Sequence, residues 1–236
     1  MKLIRFGKQG EEKPGILLSN DEKIDVSSFV SDYDEKFFES GGLVSLKDWL
    51  NENESSAPRL DDSIRLGSPI ARPSKIICIG LNFKDHAAES GFDAPEEPLI
   101  FGKATSAICG PYDNIIIPRG SEQTDWEVEL GVVIGKKTSY VDQDQALDHV
   151  GGYVLHNDVS ERAFQKDRGG QWIKGKSADT FAPMGPFMAT PDEIDNISDM
   201  RMWLNVNGEN MQDGNTSNLI FSVDHVVSYL SQFMTL

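Results

Sequence analysis

Residues 124–137 read TDWEVELGVVIGKK, and two carboxylates, Glu127 and Glu129, stand two apart inside an otherwise apolar run. Side chains alternate across a strand, so both acids point to one face while Trp126, Val128 and Leu130 point to the other. On a solvated face the acids are ordinary wet positions. On a buried face, two like charges so close together require a cation between them. A third acid, Asp158, stands near the end of a second apolar run, GGYVLHNDV, with His156 on its side of the strand. Taken alone, Asp158 serves equally well as the cap of a following helix. Taken with the glutamates, it makes three oxygen donors without a soft ligand, which suits Mg²⁺ or Mn²⁺ rather than Zn²⁺.

A second group lies in GLNFKDHAAESG (80–91). Asn82 is a good helix N-cap, Asp85 answers it three residues on, and Gly91 ends about two turns of helix. His86 and Glu89 are three apart and share a helical face. A carboxylate beside an imidazole raises its basicity, as a water-activating dyad requires. From spacing alone, an exposed surface pair is the simpler reading. Residues 170–177, GQWIKGKS, match a phosphate-binding loop, but the flanks contradict it. The upstream ERAFQKDRG is not a buried strand, and the downstream ADTFAPMGP carries two prolines and cannot run as the required helix. Lys176 keeps its interest without the nucleotide.

The elements that must position these residues form a β-rich chain. KLIRF and PGILLS predict a strand pair, LVSLKDWLNENE a short helix, and RLDDSIRLGSPIARPSK (59–75) a connector. From residue 75 strand-like runs follow: KIICIG, IIIP, WEVELGVVIG, GGYVLHNDV and MRMWLNV. NVNGENMQDG predicts a hairpin turning at Asn207-Gly208. QDQALDHV and SVDHVVSYLSQFM predict helices, the latter capped by Ser222, and place His149 and His225 in structural roles. The organisation expected is a small N-terminal α/β module over 1–70 and an α+β, β-rich domain over 71–236.

The 236 residues hold 22 lysines and arginines against 38 acids, a net charge of −16, with 39% hydrophobic residues. That balance argues against nucleic acid and anionic membrane surfaces as partners. No apolar segment approaches a membrane span, and MKLIRFGKQGEEKPG lacks a signal core. Two cysteines, Cys78 and Cys109, outside any metal-ligand spacing, fit reduced thiols in a cytoplasmic protein.

The segments ICIGLNFKDHAAESG, PLIFGKATSAICGP, TDWEVELGVVIGK, GGYVLHNDVSERAFQ and WIKGKSADTFAPMGP occur in that order. Together they resemble the fumarylacetoacetate hydrolase superfamily, closely over 75–236 and loosely before it. The nearest likeness is to acylpyruvate hydrolases, 2,4-diketo-3-deoxy sugar-acid hydrolases and ureidoglycolate lyases. The resemblance implies a mixed β-roll, a homodimer and one Mg²⁺ or Mn²⁺ on Glu127, Glu129 and Asp158. It implies His86 and Glu89 as the water-activating dyad, and Lys176 as a catalytic cation. It implies Lys103, Arg162 and Gln165 around a small acidic 2-oxo or diketo acid, cleaved at a carbon–carbon bond through a metal-bound enolate. A lyase, decarboxylase or hydratase on a related acid is the alternative, and an inactive metal–carboxylate binder a further one. His156 departs from the family pattern, which has a nonpolar residue or Cys there, and is left out of the implied ligand set. The family pattern runs on past SYLSQFMTL with a TGTP-type loop and the last strands of the roll. The 71–236 domain is therefore expected to be truncated relative to that pattern, with activity at stake.

Overall fold

The computed structural model describes residues 1–84 and 95–236. In chain order its strands are β1 (Lys2–Phe6), β2 (Lys13–Leu17), β3 (Lys23–Asp25), β4 (Ile76–Gly80), β5 (Leu99–Lys103), β6 (Ile108–Cys109) and β7 (Thr124–Asp125). There follow β8 (Val128–Ile134), β9 (Val150–Asn157), β10 (Ser160–Glu161), β11 (Ala182–Ala189), β12 (Arg201–Val206) and β13 (Glu209–Asn215). The main sheet runs β3-β2-β1-β11-β9-β8, with β6 parallel to β11. Two-stranded pairs β4–β5, β7–β10 and β12–β13 surround it, and the sheets do not close into a barrel.

The predicted KLIRF–PGILLS pair forms as β1 and β2, with Leu3 opposite Ile16. The other edge of β1 pairs with β11, Leu3 opposite Met188, so the first residues extend the sheet that carries the later strands. One apolar core accordingly mixes Leu3, Ile16 and Tyr33 with Val154, Phe181 and Met188. Residues 59–75 make only isolated bridges, Ile24 to Arg59 and Phe6 to Leu66. The helix at Gly42–Asn53 and the hairpin of β12 and β13 form as expected, with Asn207 and Gly208 both at positive φ.

Three local expectations change, and the two-proline segment takes an unexpected place. IIIP is extended but joins no ladder: the Ile116 N–H donates to Thr180 Oγ1, and Ile116 and Ile117 stay exposed. QDQALDHV winds as a 3-10 helix over Gln143–His149. Ser222 sits at the N-cap of the helix Val223–Ser231, but its side chain makes no capping bond. APMGPFMA, which two prolines bar from helix, becomes β11 in the middle of the sheet. Its register against β9 shifts between Met184 and Met188, and the interruption accommodates Pro186 in a central strand. Among the described residues no helix is long and apolar enough to cross a membrane.

Candidate active site

The antiparallel register of β8 and β9 sets Glu129 directly opposite His156 and Leu130 opposite Leu155. Directly opposed side chains share a face. Leu155 is 54% exposed, whereas His156 is buried, so the polar pair occupies the inner face and the leucines the outer one. The two glutamates are thus not the wet side of the strand. They enter a cleft of about 1400 Å³ that Asp158, Gln165, Trp172 and Lys176 also line.

The charges they require come first from the protein itself. Lys176 Nζ stands 2.9 Å from Glu127 Oε2 and 2.8 Å from Asp158 Oδ2. Lys103 Nζ reaches Asp158 Oδ1 at 2.5 Å and the Val159 carbonyl at 3.0 Å. Arg162 meets Glu127 Oε1 at 2.6 Å and grips Asp125 through Nε at 2.8 Å. A chain of alternating charge, Asp125–Arg162–Glu127–Lys176–Asp158–Lys103, therefore runs through the site. Glu129 has no ion-pair partner among the described residues. Burial, then the Glu127 and Asp158 charges, push its carboxyl up to about 8. Burial also works against ionised Asp158, but Lys103 and Lys176 outweigh it and hold that carboxyl below its ordinary range. Burial pushes the His156 imidazole down to about 4.

Local sequence explains how Lys176 arrives there. It ends the short helix Ile173–Lys176, which packs on the helix Arg162–Lys166 and on β10. A Cβ at Gly175 would lie 2.4 Å from the Glu161 carbonyl and 2.6 Å from the Gln165 nitrogen, so only glycine permits that approach. The Gly-Lys of GQWIKGKS serves this contact and not a phosphate. Lys176 is 2% exposed, and its ammonium lies 5.0 Å from the centroid of Phe101, itself packed on Trp172.

Of the expected site residues, Glu127, Glu129, Asp158, Lys176, Arg162 and Gln165 share the cleft. Lys103 is buried behind Asp158 and does not line the cavity, because both its contacts face inward. Arg162 is engaged by Asp125, Glu127 and Gln165. His86 and Glu89 lie outside the described residues. Asp158 caps no helix: the Glu161 carboxylate takes that place, accepting from the Phe164 N–H. Asn82 spends its side chain on Phe221, accepting from its N–H at 2.8 Å and donating to its carbonyl at 3.0 Å. His149 pairs with Thr138 Oγ1 at 2.9 Å, and His225 stacks between Phe221 and Tyr229. Cys78 and Cys109 are free thiols.

Sequence reasoning missed three contributors. Asp125 orients Arg162, Asn157 Oδ1 accepts from the Glu127 N–H, and Gln212 Oε1 accepts from the Val128 N–H. Asp125 was the one available signal, since it stands two residues before Glu127 and so shares the glutamates' face by alternation. Gln212 arrives from a distant hairpin and carried none.

As the side chains stand, no three His, Cys, Asp or Glu residues among those described are arranged to hold a metal. The donor chemistry nevertheless fits one. Three carboxylates share the site, and Glu129 has no ion-pair contact among the described residues, so this donor set suits a hard divalent cation.

Comparison with known proteins agrees with this architecture. The family model described as fumarylacetoacetate (FAA) hydrolase C-terminal matches residues 75–236. A curated relative from Burkholderia ambifaria, named provisionally as a hydrolase, is 49% identical over the whole chain, which covers 83% of it. The structure of fumarylacetoacetate hydrolase from Exiguobacterium antarcticum superposes with TM-score 0.81 at 33% identity, over 100% of this chain and 83% of that one. Maleylpyruvate hydrolase from Sphingobium sp. SYK-6, in complex with manganese(II) and pyruvate, gives TM-score 0.83 at 25% identity, over 100% and 84%.

Proposed function

The chain belongs to the fumarylacetoacetate hydrolase family, and from that premise we propose that it is a divalent-metal-dependent hydrolase cleaving a carbon–carbon bond in a diketo acid. An acylpyruvate or a 2,4-diketo-3-deoxy sugar acid is the substrate class of this reading. The observation that carries it is the inner-face carboxylate Glu129, without an ion-pair contact among the described residues, beside Glu127 and Asp158 in a cleft that already holds a lysine. The manganese and pyruvate bound by the maleylpyruvate hydrolase support the same reading.

Glu127, Glu129 and Asp158 would hold the cation, which when bound supplies Lewis acidity toward the oxygens of a 2-oxo acid. Lys176 uses two of its three N–H donors on Glu127 and Asp158, and the third is available to an oxyanion. Gln165 receives Arg162 on Oε1 at 3.3 Å, which leaves its amide N–H groups free to donate to the substrate. In this reading His86, with Glu89 as its dyad partner, would take a proton from the water whose oxygen bonds to the distal carbonyl carbon. The electron pair of the broken carbon–carbon bond passes to the 2-oxo acid fragment, which is reprotonated as pyruvate or its analogue. A homodimer in a reduced cytoplasm completes this reading, and light scattering checks the assembly.

The test is calorimetric titration of Mn²⁺ with and without oxalate, a planar dianion resembling enolised pyruvate, on wild type and Glu127→Gln. One Mn²⁺ per chain, bound more tightly with oxalate and lost in the variant, is the expected result. Mn²⁺ binding that is weak and indifferent to oxalate overturns the reading.

A further inference from the structure

His156 is 7% exposed, and its Nε2 is buried without a hydrogen-bond partner among the described residues. Its other ring nitrogen is committed: Nδ1 lies 3.0 Å from the Pro183 carbonyl. A carbonyl only accepts, so Nδ1 carries the proton and Nε2 presents a bare lone pair. This is how a metal-binding imidazole is commonly fixed, one nitrogen donating to a backbone carbonyl and the other facing the ion.

The surroundings state what that lone pair lacks. Glu129 is its cross-strand partner on the same face, and Asp158 follows two residues along. Both are acceptors. The nearby ammonium groups are directed elsewhere: Lys103 at Asp158 and the Val159 carbonyl, Lys176 at Glu127 and Asp158. A buried acceptor left unmatched is costly, and a cation shared with the neighbouring carboxylates would satisfy it. The Pro183 carbonyl that fixes the ring comes from β11, the strand that pairs with β9.

We propose that His156 Nε2 is a nitrogen donor to the cation held by Glu127, Glu129 and Asp158. The inference rests on the metal-dependent reading above. It changes the character of that centre: an all-oxygen set accepts Mg²⁺ readily, whereas one imidazole tilts selection toward first-row transition ions. The chain is then a Mn²⁺- or Co²⁺-preferring member of its family rather than a Mg²⁺ one.

Pulsed electron paramagnetic resonance of the Mn²⁺-loaded protein reads the contact directly, through modulation by a coordinated ¹⁴N nucleus. Wild type and His86→Leu should both show that modulation, and His156→Leu should lose it. Competition calorimetry supplies the second measurement: the preference for Co²⁺ over Mg²⁺ should fall at least tenfold in His156→Leu, with Mg²⁺ affinity held within threefold. Mn²⁺ bound without ¹⁴N modulation in wild type overturns the role of His156 and leaves the carboxylate centre standing. Modulation that disappears with His86→Leu overturns it as well. A wild-type protein that binds no Mn²⁺ removes both readings together.

Discussion

Lys103 and Asp158 form an ion pair in which Nζ and Oδ1 are 2.5 Å apart and neither side chain is more than 4% exposed. Removing one member of such a pair leaves the other charge buried and is far more damaging than losing a surface bridge. Lys103→Met should lower the unfolding free energy by roughly 3–5 kcal/mol, read from urea denaturation in metal-free buffer. A loss below about 1 kcal/mol would show that solvent reaches Asp158.

Glu129 sets the pH dependence of the metal-free protein. Its folded-state carboxyl titrates near 8, above the 4.5 of an ordinary glutamate. Below pH 4.5 both states hold the proton and the group contributes nothing. As pH rises toward 8 the unfolded chain ionises while the folded one resists, so folding is progressively penalised. Glu129→Gln should therefore match wild type in stability at pH 4 and exceed it by a few kcal/mol at pH 9 in chelator. Saturating Mn²⁺ should erase the advantage, and a constant offset at all pH values would contradict the assignment.

Arg162 acts on Glu127 while itself held by Asp125. Outer partners of metal-binding side chains typically contribute ~10–100-fold in affinity. Arg162→Lys keeps the charge but loses the fork that spans both carboxylates. Mn²⁺ affinity should drop within that range while the circular dichroism spectrum stays unchanged. Unaltered affinity would free Arg162 for direct contact with substrate.

Glu161 is 1% exposed and holds two segments of the site in place. Its carboxylate accepts from the Phe164 N–H at 2.5 Å and from the Gln123 N–H at 2.9 Å. Glu161→Gln turns two charge-assisted bonds into neutral ones and should cost about 1.5–3 kcal/mol in denaturant unfolding.

Much of this site was legible because alternation is a strong signal in strands. Glu127 and Glu129 belonged to one face on sequence grounds, and Asp158 followed from the same rule. Which face was buried was not legible, since β8 is apolar on its outer side too, where Leu130 meets the exposed Leu155. Partners from remote segments were equally hidden. Gln212 reaches Val128 from the β12–β13 hairpin, and the Pro183 carbonyl reaches His156 from a strand whose prolines disguised it. Motif spacing also misled where a glycine had a second use: GQWIKGKS matched a phosphate loop, while Gly175 is needed against the Glu161 carbonyl. The fold was easier at its ends, where the hairpin at Asn207-Gly208 and the strand pair of β1 and β2 depend on neighbours in sequence.

The pairing of β1 with β11 joins Lys2 to Ala189, and the Thr190 N–H donates to the Met1 carbonyl at 2.9 Å. On the ribosome, then, the first strand emerges long before its partner and waits with one edge open. β9 waits likewise, because β11 is the strand that separates it from β1. Closure over so long a stretch of chain is entropically slow, and unpaired edges are where nascent β proteins associate wrongly. Glu127 and Asp158 are therefore locked against their lysines only after most of the chain has been made, and synthesis rate or chaperone supply should govern the yield of competent protein more than the stability of any single contact.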